Sequence, residues 1–393
     1  MGLWNTVETE NIFQHILQTE GEKHPLYSPE KMEECADYIL AELKSYGLAT
    51  NIHEFKVDDF DYTFRNIEGF IGEGDGPELL IVSHYDTVRH APGANDNGSA
   101  IAVMLEAARI LAKADLKGNV RFVSFNLEEG NPARGKEFTK IARSYGVEDE
   151  QGRYVSWHAT KIMRKYFATV SRLATSGTTP ELAGSMAISE MKDDLQENEI
   201  ALLREYELLF KGITSTNWPG RTALMGSSAW VEQVVLNKKE IMGVLCLETM
   251  GSISKETNSQ KLPEQLDTRL FESFGTQEDL TVGDFLAVIA DGNSKSLATS
   301  FCEMCQDDSI TLPYACLKAD FGYEQAAHAM PDILRSDHAP FWRANIPALL
   351  LTDTANFRYP YYHTPADTID KLDFDFLAKI CKATIATAIN LCS

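Results

Sequence analysis

LLIVSHYDTVRHAPGANDNGSAIAVMLEAARILA, residues 79–112, is the stretch that decides the fold. LLIVS at 79–83 has no polar alternation, which is the pattern of a short strand covered on both faces in the middle of a sheet. Residues 98–113 read as a helix, with Ala100, Val103, Met104, Ala107 and Ile110 on one face. Between them the strand runs into His84-Tyr85-Asp86, and GANDNGSA places Asp96 just ahead of the helix.

Upstream, PEKMEECADYILAELKSYG (29–47) has helical spacing and stops at Gly47. NIHEFKV (51–57) and FRNIEGFIG (64–72) read as two antiparallel strands. GEGDGPE (72–78) lacks the Lys-Ser/Thr of a phosphate loop, so it reads as a hairpin turn. Downstream, NVRFVSFNLEE (119–129), GVLCLETMG (243–251) and IPALLLTD (346–353) are further central strands. Helices are expected around 227–237 and at 373–391. This alternation predicts an α/β chain with three layers, helices on both faces of a mixed, mostly parallel sheet.

Residues 130–222 break the rhythm. They contain no convincing buried strand, and 181–211 looks like one long charged helix. We expect a catalytic domain made of 1–129 and 223–393, with 130–222 inserted as a mostly helical cap, since a structureless loop of that length is improbable.

Polar residues collect at the expected strand ends, where sites of open α/β sheets form. They are His84 and Asp86, Glu128-Glu129, Glu248, Ser336-Asp337-His338, and Tyr362-His363. Taken singly, each has an ordinary reading: a hydrogen-bonded histidine, a solvated glutamate pair, a helix cap or a turn. Their conjunction in one sheet is what suggests chemistry. Zinc takes imidazole and carboxylate ligands, and two zinc ions can share one carboxylate. Asp96 is the candidate bridge. His84 and Glu248 would complete one metal, and Glu129 and His363 the other. Glu128 is the candidate general base, and Asp86 would accept the second N–H of His84 and fix its tautomer. HExxH, GxSxG and a P-loop are absent.

The sequence resembles the M28 family of zinc aminopeptidases, within the clan of bacterial leucyl aminopeptidases and glutaminyl cyclases. The resemblance is carried by SHYDT (83–87), PGANDNGSA (92–100), Glu128-Glu129, MGSSAWVE (225–232), LETMG (247–251), SDHAPF (336–341) and YYHTPADTIDKLD (361–373). It implies the zinc-dependent exopeptidase fold, two zinc ions and the ligand set above, with release of N-terminal residues from peptides. Two departures stand out. Glu248 occupies a position that is most often Asp, and residues 130–222 replace a short Gly-rich loop.

Alternatives on the same fold are a glutaminyl-cyclase-like enzyme, typically with a single zinc, and a hydrolase for a small non-peptide amide. A non-catalytic binding protein would be expected to have lost ligands or base, and all six positions are kept. Asp337, Arg335 and Tyr361 are candidate substrate contacts. Arg335 is open to a salt bridge instead, and Tyr359, Tyr361 and Tyr362 to packing.

Composition narrows the partners. The formal charge of −22, from 58 acidic and 36 basic residues, disfavours nucleic acid and anionic membranes. A peptide or small amide substrate is expected, and a homo-oligomer is open. The N-terminus lacks the basic and apolar runs of a secretory signal. The seven cysteines form no disulfide framework, and Cys302 and Cys305 read as two helix-borne thiols. A reducing, cytoplasmic setting fits these features.

Overall fold

The computed structural model describes residues 2–72, 76–175, 177–263, 266–277 and 279–393. Among the described residues nine strands form one sheet: β1 (Ala49–Val57), β2 (Phe60–Ile71), β3 (Glu78–His84), β4 (Asn119–Phe125), β5 (Ile241–Glu248), β6 (Phe271–Phe274), β7 (Leu286–Ala290), β8 (Tyr314–Lys318) and β9 (Ala348–Thr352). Their spatial order is β1-β2-β4-β3-β5-β9-β7-β8-β6. The centre, β4-β3-β5-β9, is parallel. The margins are antiparallel except for the β7–β8 pair.

β3 is the middle of this arrangement, and all seven of its residues are buried. Leu79 and Ile81 face one apolar cluster, Leu80 and Val82 the other. The first cluster lies under the helices Thr9–Thr19, Pro29–Ser45, Ala100–Leu111, Lys295–Cys305 and Phe374–Cys392. The second lies under Met225–Leu236, Tyr323–Ala329 and His338–Arg343. Each fully buried aliphatic side chain contributes about 1.5–3 kcal/mol, so the continuous apolar runs are what hold the three layers together. All seven cysteines are buried and free. Cys302 and Cys305 sit on the helix Lys295–Cys305. No helix among the described residues is long and apolar enough to cross a membrane.

Two expectations are corrected. β2 and β3 do not form a hairpin, because β4 lies between them and pairs antiparallel with β2 and parallel with β3. β3 instead takes parallel neighbours on both sides, β4 and β5. Residues 73–75 of the 72–78 connection lie outside the described residues. The single helix expected over 181–211 is instead two, Pro180–Glu190 and Glu197–Leu209, with a short turn at Lys192–Asp194. Gln196 and Glu199 form a capping box that starts the second helix, with the Gln196 N–H donating to Glu199 Oε2 at 2.8 Å. The Glu199 carboxylate satisfies the Gln196 N–H there, and Asp193 and Asp194 are poor helix-interior residues.

Residues 130–222 also contain the helices Pro132–Ser144 and Trp157–Thr175. The four helices enclose their own apolar cluster, including Tyr166, Leu203 and Tyr206. Hydrogen bonds tie residues 130–222 to the rest of the chain: Tyr27 Oη with Thr139 Oγ1 (2.8 Å), and Tyr323 Oη donating to the Thr216 carbonyl (2.9 Å).

Candidate metal centre

The candidate ligands stand where strands end. His84 closes β3 and Glu248 closes β5. Beyond β4, Leu127 adopts a left-handed φ of 58°, which turns the chain so that Glu128 and Glu129 follow on a bend. The Asp86 carboxylate accepts both of their backbone N–H groups, each at 3.0 Å. Asp86 therefore does more than was expected of it. The second N–H of His84 is met chiefly by the Asp86 backbone carbonyl (Nδ1 to O 3.2 Å), with Oδ1 farther off at 3.6 Å.

Asp96 sits in the turn Ala94–Ser99. Gly93 enters that turn at a φ of 67°, and a Cβ there would lie 2.5 Å from the Asp96 carbonyl oxygen, so only glycine fits. Asp367 clasps the turn from below, accepting the Asn95 N–H at 2.9 Å and the Asp96 N–H at 3.2 Å. Tyr359 Oη donates to the same carboxylate at 2.9 Å, which assigns that tyrosine to support. Asn97 Oδ1 accepts the Thr249 N–H at 3.0 Å and links the turn to the end of β5.

These elements bring the six residues together. His84 Nε2 lies 3.3 Å from Asp96 Oδ1, 3.4 Å from Glu248 Oε2 and 4.0 Å from Glu128 Oε2. His363 Nε2 lies 3.1 Å from Asp96 Oδ2 and 3.2 Å from Glu129 Oε2. Asp96 thus faces a separate histidine with each oxygen. Tetrahedral coordination at roughly 2.0–2.2 Å sets neighbouring donor atoms about 3.3–3.6 Å apart, close to these spacings. His84 Nε2, both oxygens of Asp96 and Glu129 Oε1 are buried without a hydrogen-bond partner. Buried polar groups are rarely left so, and a bound cation is what such a donor set fits.

The electrostatics agree. Burial raises the Glu128 carboxyl well above its usual range; nearby His84 opposes this, and Glu129 and Glu248 add to it. Burial, opposed by His363 and reinforced by Asp96, raises Glu129 to about 7. Burial acts the same way on Asp96, but His363 and His84 outweigh it and hold that carboxyl low. Burial disfavours charge on His363, yet Glu129 and Asp96 raise it to about 10. Positive charge is therefore in demand at this spot.

Ser336, which sequence reasoning left without a role, donates to Glu248 Oε2 at 2.7 Å. The candidate substrate contacts divide. Asp337 is buried near His84 and Glu248, and burial raises its carboxyl to about 7. Arg335 bonds to Asn356 Oδ1 (3.0 Å), approaches Asp332 (3.5 Å), and lies in the fields of Glu128 and Glu129. Tyr361 is exposed, edge-on to Tyr359, with the Lys371 ammonium over its ring. Tyr362 stacks on His363 at 3.7 Å.

A cavity of about 540 Å³ is lined by Asp86 and Glu129 and by residues of the helices Pro132–Ser144 and Trp157–Thr175. Arg335 lines its near end, and Phe138, Phe167, Phe210 and Trp218 wall its far side. Asp337 and Tyr361 are not part of its wall.

Known proteins resemble this one as follows. The sequence model of the family described as Peptidase family M28 matches residues 66–153 and 217–388. The uncharacterized protein YfbL of Escherichia coli (strain K12) is 23% identical over 396 residues, covering 98% of this chain and 87% of that one. Aminopeptidase YwaD of Bacillus subtilis (strain 168) is 48% identical over 54 residues, 14% of this chain and 12% of its own. Among solved structures, LapA aminopeptidase of Legionella pneumophila superposes with a TM-score of 0.58 at 16% identity, covering 100% of this chain and 74% of that one. Glutaminyl cyclase of Porphyromonas gingivalis superposes with a TM-score of 0.54 at 15% identity, covering 98% and 99%.

Proposed function

This chain belongs to peptidase family M28, and from that premise we propose that it is a two-zinc aminopeptidase that hydrolyses the N-terminal amide bond of peptides. The observation that carries this reading is the placement of Asp96 between His84 and His363, one oxygen toward each. His84, Asp96 and Glu248 would hold one ion, and Asp96, Glu129 and His363 the other. Divalent ions so held polarise an amide carbonyl and make water acidic enough to deprotonate near neutral pH.

The chain's own residues do the rest. Glu128, buried and with a raised proton affinity, accepts the proton of the attacking water and delivers it to the leaving nitrogen. Asp86 holds the backbone of Glu128 and Glu129 in place. The carboxylates of Glu128 and Glu248 would hold the substrate's free amine. The cavity beside Glu129 receives the substrate and limits its size.

The test is metal content per chain by elemental analysis, for wild type and Asp96→Ala, together with a screen of aminoacyl amides and short peptides. About two zinc ions, lost with activity in the variant, support the reading. A single ion without peptide hydrolysis would favour a glutaminyl-cyclase-like enzyme or another amidase, and no metal at all would sink the mechanism.

A further inference from the structure

The cavity is polarised. Its only carboxylates among the described residues are Asp86 and Glu129, and both belong to the metal end. Among the described residues three arginines share the wall, Arg89, Arg134 and Arg335, and no lysine. In a chain of net charge −22, three guanidiniums in one cavity run against the composition.

Arg89 and Arg335 each have an ion-pair partner, Glu148 and Asp332, whereas Arg134 has none among the described residues. Arg134 follows the Asn131 cap of the helix Pro132–Ser144, which places it on the insert's side of the cavity. Its Nη2 is buried without a hydrogen-bond partner, and among the described residues it forms no ion pair. The Phe210 ring lies 5.7 Å from its guanidinium carbon, and burial together with the nearby Arg221 guanidinium lowers the pKa of Arg134. Arg89 is half used. Nη1 reaches Glu148 at 3.2 Å and the guanidinium stacks on Tyr27 at 4.2 Å, but Nε and Nη2 are buried and unpaired. A guanidinium is costly to bury unpaired, and its fork matches a carboxylate.

We propose that Arg134 and Arg89 form an anion-recognition subsite, so that the preferred substrate is a short peptide or amide carrying a carboxylate at the end away from the metal centre. The inference rests on the aminopeptidase reading of the same cavity. The amine and scissile amide lie at the acidic end, the apolar body lies along Phe138, Phe167 and Phe210, and the carboxylate meets the arginines. About 540 Å³ suits a di- or tripeptide, not a long chain. The carboxylate comes either from a short peptide's C-terminus or from an acidic side chain.

Binding to the full chain stripped of metal tests the subsite apart from catalysis. Calorimetric titration with N-acetyl-leucine and with N-acetyl-leucinamide should show tighter binding of the acid. Arg134→Gln should remove roughly 10- to 100-fold of that preference, the worth of one charge-assisted pair, and Arg134→Lys should restore part of it. Circular dichroism of each variant checks that the helix still folds. Equal binding of acid and amide by wild type, or an undiminished preference in a folded Arg134→Gln, overturns the proposal. Hydrolysis by the metal-loaded enzyme then separates the two sources. Faster turnover of Leu-Gly than of its C-terminal amide assigns the C-terminus, and faster turnover of a glutamyl than of a leucyl anilide assigns the side chain. A wild type that prefers the acid but hydrolyses no amide keeps the subsite and removes the aminopeptidase reading instead.

Discussion

The Asp86 carboxylate holds the backbone N–H of Glu128 at 3.0 Å with one oxygen, and its other oxygen takes the N–H of Glu129 at the same distance. One buried side chain thus aims the proposed base and a proposed ligand together. Asp86→Asn keeps the shape but turns an NH2 toward one of those amides. Loss of such an orienting partner typically costs 10- to 100-fold in metal affinity or activity. We expect a fall of about that size in kcat, with KM moved much less. A variant that matched wild type in both would show that the bend at Leu127 holds the glutamates unaided.

Glu128→Gln separates base from ligand. Glu128 Oε2 is 4.0 Å from His84 Nε2, farther than Asp96 or Glu248. The amide should leave metal content unchanged while kcat drops by about 10²–10⁴, the usual worth of a positioned general base. If metal content fell instead, Glu128 would be a ligand and another group would have to move the proton.

Much of this was open to a reader of the sequence, for a physical reason. Strands covered on both faces are mostly apolar in their middle, so β3, β4, β5 and β9 announce themselves, and their ends carry the polar clusters. β7 has the same quality in LAVIA (286–290), but the polar residues that flank it mask the signal. β6 could not be seen: it is a four-residue margin strand whose residues are all exposed or half-buried, with no alternation. The supports of Asp96 were equally hidden. Asp367 and Asn95 are 272 positions apart, and only the folded chain brings them within 2.9 Å. The arginines of the cavity belong to the same class, since charge in a sequence does not say whether it finds a partner.

The helices of 130–222 should behave as a cooperative unit with its own core. Leu203 is fully buried in that cluster. Leu203→Ala should cost about 2–5 kcal/mol through lost burial and a cavity. Hydrogen exchange should quicken in Glu197–Leu209 and its partner helices while β3 and β5 keep their protection. Uniform acceleration across the sheet would mean that the insert and the sheet unfold as one.

His338 gives the acid limb of stability a specific term. It is fully buried, with its Nε2–H donating to the Ile333 carbonyl at 2.7 Å and its ring edge-on to Trp342. Burial lowers its pKa from the ordinary 6.5 to about 4. Between those values the unfolded chain binds a proton that the folded chain refuses, so stability rises with pH across the window. The term is therefore fully in place above pH 6.5 and is lost as pH falls toward 4, a change of about 3 kcal/mol at 1.36 kcal/mol per unit. Asp337, Asp353 and Asp367 are raised by burial and slope the opposite way, so wild type alone would blur the effect. The difference between wild type and His338→Gln isolates it. Urea midpoints taken from pH 7 to pH 4 should converge, with wild type losing more stability than the variant. Parallel curves would mean that His338 takes up its proton in the folded protein as readily as in the unfolded one.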